Sequence, residues 1–262
     1  MNIFNQNKRK WLGNQDTYQN KNKLDACTIL DRIPRVKKKT TCYGYDIWFC
    51  YEVSWLTLSG KPTYKVAELR IPLESKYIIE SKSFKLYLNQ FNFITFDSEL
   101  AFINQINQDI SGVIESNIQC VLHNPFNITL TPLEGICIDN ESNLENRLTD
   151  NKSIKVENET LYSHLFRSNC PVTNQPDWAS IIIRYSGQQI NKEALVSYLL
   201  SYRQKQDFHE ACIDTIFDEL LQQYELLDLN VYGAFTRRGG IAIHPLRQSV
   251  SKIIRTYYFF KT

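Results

Sequence analysis

No stretch of this 262-residue chain approaches the ~18–20 uninterrupted apolar residues of a membrane-spanning helix. The opening, MNIFNQNKRKWLG, carries positive charge with no hydrophobic segment behind it, so no secretory signal is expected. Cysteine is scattered and odd in number. The seven thiols, at positions 27, 42, 50, 120, 137, 170 and 212, form no small-domain disulfide framework, and a reduced, cytoplasmic setting is expected. An excess of one charge is also missing. Thirty basic and 28 acidic residues leave a net charge of +2, which excludes a generic polyanion binder. A charged fraction of 22% and eight prolines argue against wholesale disorder. The four Asn-x-Ser/Thr matches, starting at Asn127, Asn140, Asn151 and Asn158, read as chance in an Asn-rich chain.

What is present is a large apolar reserve: 43% hydrophobic and 13% aromatic residues, enough for a substantial core. Charge is unevenly spread. Residues 1–40 hold ten Lys or Arg against three Asp, +7, leaving residues 41–262 at −5. That leader is either a phosphate-binding arm or a solvated segment packed along the domain. It lacks the interleaved aromatics of a stacking platform, so the solvated reading is favoured and no direct nucleic-acid partner is expected.

Beyond the leader the pattern is strand, strand, helix, helix, strand. YGYDIWFCYEVSWLTL (43–58) and KVAELRIP suit strands. Phe84, Tyr87, Leu88 and Phe91 then mark one face of a helix starting near Ser81, and residues 98–114 a second helix. IQCVLHNPFNITLTPLEGICI returns to strands, and a linker rich in Asn, Asp, Glu and Ser is placed at 139–158. The order recurs over 159–262: strands LYSHLFRS and ASIIIRYS, helices from about Lys192 and about His209, then strands LLDLNVYGAFTR and GIAIHPLR. Two halves, 41–138 and 159–262, each reading ββααββ, predict a duplicated α+β fold with antiparallel sheets and helices on one face.

Four segments carry chemistry. In HLFRSNCPVTNQPDWAS, Cys170 leaves a strand for a turn-rich loop and Asp177 follows within reach. A loop thiol is open to activation, or it is a buried cysteine beside a capping Asp. Cys212, on the apolar stripe of a helix, is core. In QDFHEACIDTIF, His209 and Glu210 stand where a helix begins. Acids favour that place for the helix dipole alone. The functional alternative is a carboxylate accepting two N–H groups of a guanine-like edge, with Phe208 as a stacking face. In YIIESKSFKLY, the run Glu80, Ser81, Lys82 at a strand-to-helix junction is a phosphate site or an ordinary cap with Ser81 as N-cap. In GAFTRRGG, Arg237, Arg238, Gly239 and Gly240 are a phosphate-binding turn or a solvated hairpin.

In that order, ESKSFKLY, SNCPVTNQPDW, DFHEACIDTIF and FTRRGGIAIHP resemble the NADPH-dependent 7-cyano-7-deazaguanine reductases, the nitrile reductases of queuosine biosynthesis, in their longer two-module form. The likeness spans about residues 43–262. ESKSFK separates the family from GTP cyclohydrolase relatives. The resemblance implies the tunnelling fold, with a ββααββ unit twice per chain, in a homodimer. It implies that Cys170 attacks the nitrile carbon to form a thioimide and that Asp177 moves protons. Ile79, Glu80, Ser81, Phe208, His209 and Glu210 would bind substrate; Ser81, Lys82, Arg238 and Gly239 would bind NADPH, with no metal. Proton delivery asks for a raised carboxyl pKa, expected for Asp177 from partial burial beside Trp178. A zinc cyclohydrolase would need a Cys/His ligand set, which Cys170, His164 and His209 supply poorly. A non-catalytic purine- or pterin-binding module would not need Cys170.

Overall fold

The computed structural model describes residues 25–36, 40, 42–125, 132–141 and 150–251. Most of the basic leader, and the expected strand residues 126–131, lie outside the described residues. A short helix α1 (Ala26–Ile29) and a strand β1 (Arg32–Pro34) come first. The first half continues with β2 (Tyr43–Val53), β3 (Lys65–Pro72), β4 (Tyr77–Ile79), α2 (Ser81–Asn89), α3 (Glu99–Ile114) and β5 (Gln119–His123). After β6 (Ile136–Cys137) come β7 (Asp150–Asn169), β8 (Pro176–Ile190), α4 (Lys192–Ser201), α5 (His209–Gln223), β9 (Leu226–Phe235) and β10 (Ile241–Gln248). The class is α+β.

The two halves share one eight-stranded sheet, ordered β5-β3-β2-β10-β9-β8-β7-β6. It is antiparallel except at one edge, where β6 runs parallel to β7, so the sheet is mixed rather than antiparallel throughout. The first half also inserts β4, which leaves the large sheet to pair with β1 as a two-stranded ribbon. β7 begins at Asp150 and so takes in the last nine residues of the segment expected to be a linker. Their register opposite β8, Asp150 against Ile190 and Lys155 against Gln188, draws them into the ladder despite their polarity.

Burial explains the sequence pattern. β2 is apolar almost throughout because both of its faces are covered. Trp48 and Cys50 join a core with Phe84, Tyr87, Leu88 and Phe91 of the α2 region and Phe102, Ile106 and Ile110 of α3. Ile47, Phe49 and Tyr51 join a cluster made only of strand and loop residues, including Ile182, Tyr232, Ala242 and Leu246. A matching core in the second half packs Ile181, Ile183 and Val231 against Leu195, Leu199, Ile213 and Phe217 of α4 and α5. The described helices therefore cover one face of the sheet. Cys212 is among these core residues, and burial pushes its thiol up to about 12.

The seam between the halves is β2 against β10, with Asp46 opposite Pro245 and Arg247 opposite Gly44. Gly44 has φ +132°, and a Cβ there would stand 2.1 Å from the Leu246 carbonyl oxygen. Only glycine fits so close an approach.

Candidate active site

The Cys170 hairpin is fixed at both ends. Cys170 N–H donates to the Gln175 carbonyl at 2.9 Å, and Asn174 N–H donates to the Cys170 carbonyl at 2.8 Å. The β7–β8 ladder then sets Asp177 opposite Ser168, two residues before the cysteine. The same hairpin is tied to the α4–α5 connection. Asn169 N–H donates to Lys205 O at 2.9 Å, Asp207 N–H donates to Asn169 O at 3.1 Å, and Gln206 Nε2 reaches Asn174 Oδ1 at 2.8 Å. These bonds hold the start of α5, with Phe208, His209 and Glu210, against the loop that carries the thiol.

Three of the expected residues meet directly. His209 Nε2 lies 3.4 Å from Asp177 Oδ2, and Arg238, from the β9–β10 turn, pairs with Asp177 Oδ1 and with Gln175 Oε1. The imidazole stacks on Phe235, ring centres 3.9 Å apart and planes 9° apart. Phe208 is the N-cap of α5 and makes no side-chain cap bond. Glu210, 6% exposed, pairs with no cation among the described residues and accepts from its own peptide N–H. Burial pushes its carboxyl above the ordinary range, and the nearby Asp46 adds to that, against smaller opposing effects of His209 and Arg35. A buried, unpaired carboxylate is costly unless a ligand satisfies it.

Asp177 departs from expectation. Burial does push its carboxyl up, but His209 and Arg238 outweigh that and hold it below the ordinary carboxylate range. Trp178 points away from this cluster: it is 39% exposed, with the guanidinium groups of Arg203 and Arg167 5.5 and 5.9 Å from its ring. In the ligand-free protein Asp177 is therefore a carboxylate, ready to accept a proton rather than to give one.

The second group sits on the first half. Ile79 ends β4 and is buried. Glu80, not Ser81, is the N-cap of α2: its Oε2 accepts from Ser83 N–H at 2.8 Å, and Ser81 is the first helical residue. No hydrogen bond or ion pair joins Glu80, Ser81 or Lys82 to Cys170, Asp177 or His209 among the described residues. The helix they begin is linked to the Arg238 turn through Glu52. Lys85, one helical turn beyond Ser81, pairs with Glu52 of β2, and a Cβ on Gly240 would stand 2.6 Å from the Glu52 carboxyl carbon. The turn is built on Gly239 (φ +58°) and Gly240 (φ +80°), as a two-residue hairpin requires. Beside Gly239 there is open space. Lys85 of α2 and the turn that carries Arg238 thus both meet Glu52 of β2. Among the described residues no group of three or more His, Cys, Asp or Glu side chains gathers to hold a metal ion.

The site has a deeper layer that sequence reasoning did not find. Asp46, fully buried, pairs with Arg35 at 2.7 Å and with Arg247 at 2.8 Å, and Arg247 in turn pairs with Asp214 of α5. A charge in the middle of apolar strands, Asp46 in YGYDIWFCYEV and Arg247 in IAIHPLRQ, was the available signal, because such charges persist only when paired.

Comparison with known proteins decides the family. A family model described as "Nitrile reductase, 7-cyano-7-deazaguanine-reductase N-term" matches residues 17–122, and one described as "QueF-like protein" matches residues 176–253. An NADPH-dependent 7-cyano-7-deazaguanine reductase of Buchnera aphidicola subsp. Schizaphis graminum is 43% identical over 83% of this chain and 88% of its own length. The chain belongs to the 7-cyano-7-deazaguanine reductase family. Other reductases of that name share 38% identity in Legionella pneumophila (strain Corby), over 95% of this chain and 91% of the relative, and 43% in Saccharophagus degradans, over 78% of each. Asp177, His209, Glu210 and Arg238 fall inside the segments matched to the reductase family, and Cys170 lies between the two. The first match reaches back to residue 17, so the reductase module includes part of the basic leader, which the motif likeness over 43–262 had left out.

Proposed function

We propose that this protein reduces 7-cyano-7-deazaguanine to 7-aminomethyl-7-deazaguanine with NADPH, in tRNA queuosine biosynthesis, through a thioimide on Cys170. The observation that carries the proposal is the buried Glu210, unpaired among the described residues, beside the His209–Asp177 contact and on the element tied to the Cys170 hairpin. Its two oxygens match the two N–H groups of a guanine-like edge. The further parts of the proposal are the tunnelling fold with one ββααββ unit in each half, a cytoplasmic homodimer, and substrate contacts from Ile79, Glu80, Ser81 and Phe208.

Lys82, Arg238, Ser81 and Gly239 would hold NADPH, which supplies the two hydrides that take a nitrile to an amine. The chain's own residues do the rest. The Cys170 thiol gives up its proton as sulfur bonds to the nitrile carbon, and that proton ends on the nitrile nitrogen. Asp177, ionised in the free protein, is suited to carry it across. Covalent capture replaces one hard reduction by easier ones, because a protonated thioimide is a better electrophile than a nitrile. After the first reduction the carbon carries both sulfur and an amino group. The C–S bond then breaks, the pair leaves with sulfur as thiolate, and one N–H proton returns to that thiolate to leave a neutral imine. The second hydride reduces the imine to the amine, and each reduction takes up one proton from solvent at the nitrogen.

The test is intact-protein mass spectrometry with 7-cyano-7-deazaguanine and no cofactor. The mass should rise by one whole substrate, since addition to a nitrile expels nothing, and Cys170→Ser should abolish the rise. With NADPH, two cofactor molecules should be oxidised per amine formed. An adduct on Cys27 or Cys212, or a ratio of one, would overturn the proposal.

A further inference from the structure

We propose that His244 of β10, a histidine outside the Cys170 cluster, is a positioning residue for the proton-transfer pair: through Phe235 it sets the His209 imidazole against Asp177. This deepens the reductase function proposed above and rests on it. The His209 ring has few holds. Its Nε2 stands 3.4 Å from Asp177 Oδ2, longer than a firm hydrogen bond, and its Nδ1 is buried with no hydrogen bond among the described residues. What fixes the plane of the imidazole is the Phe235 ring, stacked 3.9 Å away and 9° from parallel. The placement of Phe235 therefore decides where His209 points.

Phe235 lies where β9 and β10 part. The two strands pair over Asn230–Tyr232 and Leu246–Gln248 and meet again only at Arg238 and Ile241. Between those contacts residues 233–237 face residues 242–245, one residue more on the β9 side. Such a bulge re-aims side chains and leaves backbone groups without ladder partners. The Phe235 carbonyl is one of them, and the His244 side chain takes the ladder's place: its Nε2–H donates to Phe235 O at 3.1 Å. A carbonyl can only accept, so Nε2 carries the proton, and Nδ1 of the neutral ring accepts from the Tyr232 hydroxyl at 2.7 Å. His244 is buried edge-on to Phe49 and Tyr232, ring centres 5.0 and 5.6 Å away, and burial pushes its pKa down to about 3. It is a fixed neutral wedge and not a proton carrier. From the other side β8 holds the same segment, with Ala179 opposite Phe235 and Thr236 N–H donating to Trp178 O at 2.9 Å. The bulge that His244 fills thus ends on Arg238, which pairs with Asp177, and carries the ring that backs His209.

The experiment compares full-length wild type with His244→Phe, His244→Gln, Asp177→Asn and the double variant His244→Phe/Asp177→Asn. His244→Phe fills the space but donates nothing, whereas the carboxamide N–H of His244→Gln stands near the place of Nε2 and restores the bond to Phe235 O. In His244→Phe we expect kcat to fall about 10–100-fold, the scale of a misplaced reacting group, with KM for 7-cyano-7-deazaguanine nearly unchanged. His244→Gln should recover most of that loss. Adduct formation on Cys170 without cofactor should slow in step, since the same pair moves its proton. In the Asp177→Asn background His244→Phe should cost almost nothing more, because the contact it serves is already gone. A second readout needs no substrate. The chain has four histidines. The NMR signals of the His209 ring, shifted by the aromatic ring stacked on it, should move in His244→Phe and return in His244→Gln, while those of His123 and His164 stay. An unmoved His209 signal, a loss carried by KM, or a further loss of about tenfold on top of Asp177→Asn would overturn the proposal. Should His244→Phe fail to fold, His244→Gln decides: it must keep both the His209 signal and most of kcat, and loss of either would overturn the proposal. A wild-type enzyme that forms no amine from this nitrile would bring down the proposed function and with it the kinetic role of His244, whereas the His209 signal tests the placement by itself.

Discussion

The starts of α3 and α5 are built to different ends. At α3, Ser98 is an N-cap whose Oγ accepts from Ala101 N–H at 3.1 Å, and Glu99 of the first turn reaches into solvent to pair with Lys65 at 2.6 Å. At α5, Phe208 offers no side-chain cap, and the first-turn residues His209 and Glu210 point into a buried cluster with Asp177 and Asp46 nearby. One start satisfies its orphan N–H groups and exposes its charge, which is what stability asks. The other leaves a cap unmade and buries a carboxylate, a local cost that makes sense where a ligand completes the arrangement.

The largest expected effect is at Asp177, held by the first residue of α5. Asp177→Asn should keep substrate affinity while lowering kcat by about 10²–10⁴-fold, the usual contribution of a positioned proton-transfer group. Its carboxyl is held low, so the free enzyme keeps it ionised until the solution is more acidic than an ordinary aspartate would require. The acid limb of kcat/KM therefore belongs to Glu210, whose carboxyl is raised: affinity is full above that raised value and lost as pH falls through it. Asp177→Asn should leave this limb in place. A pH profile that loses its acid limb in Asp177→Asn would reverse the assignment.

Next comes the direct contrast of the two first-turn acids. Glu210→Gln puts a donor against the guanine-like N–H pair, and a buried polar mismatch of ~1–3 kcal/mol weakens binding by about 10–100-fold. Glu99→Gln, which alters an exposed pair, should leave KM unchanged. Equal effects at the two positions would erase the distinction between the two helix starts.

How much of this was readable in the residues follows from how local each feature is. The α3 boundary and the apolar face of α2 came out as expected, because a capping serine and an i, i+3, i+4, i+7 spacing act within one helix. The cap of α2 fell one residue earlier, on Glu80, since a carboxylate serves as well as a hydroxyl once the strand turns there. The direction of the Asp177 shift differs from expectation because it is set by His209 and Arg238, brought in from other elements, and not by its neighbour Trp178. The Arg35–Asp46–Arg247 chain was out of reach for the same reason. Asp46 and Arg247 each stood out in its own strand, but β2 and β10 meet only through the fold, and their pairing could not be read from either segment alone.

The smallest effect tests the structural side of the comparison. Ser98→Ala removes the acceptor for Ala101 N–H and should cost about 1 kcal/mol of stability. Denaturant unfolding would read that as a lower midpoint at unchanged slope. KM and kcat should stay at wild-type values, because α3 packs its buried face on Trp55 and Phe91 and sends no described side chain to the Asp177 cluster. The reciprocal change is sharper. Phe208→Ser supplies α5 with the cap it lacks, so it should hold or raise the unfolding midpoint while raising KM, since the new hydroxyl takes the place of a ring proposed to face the substrate. If Phe208→Ser left KM untouched, the missing cap at α5 would be an accident of packing and not a mark of the site.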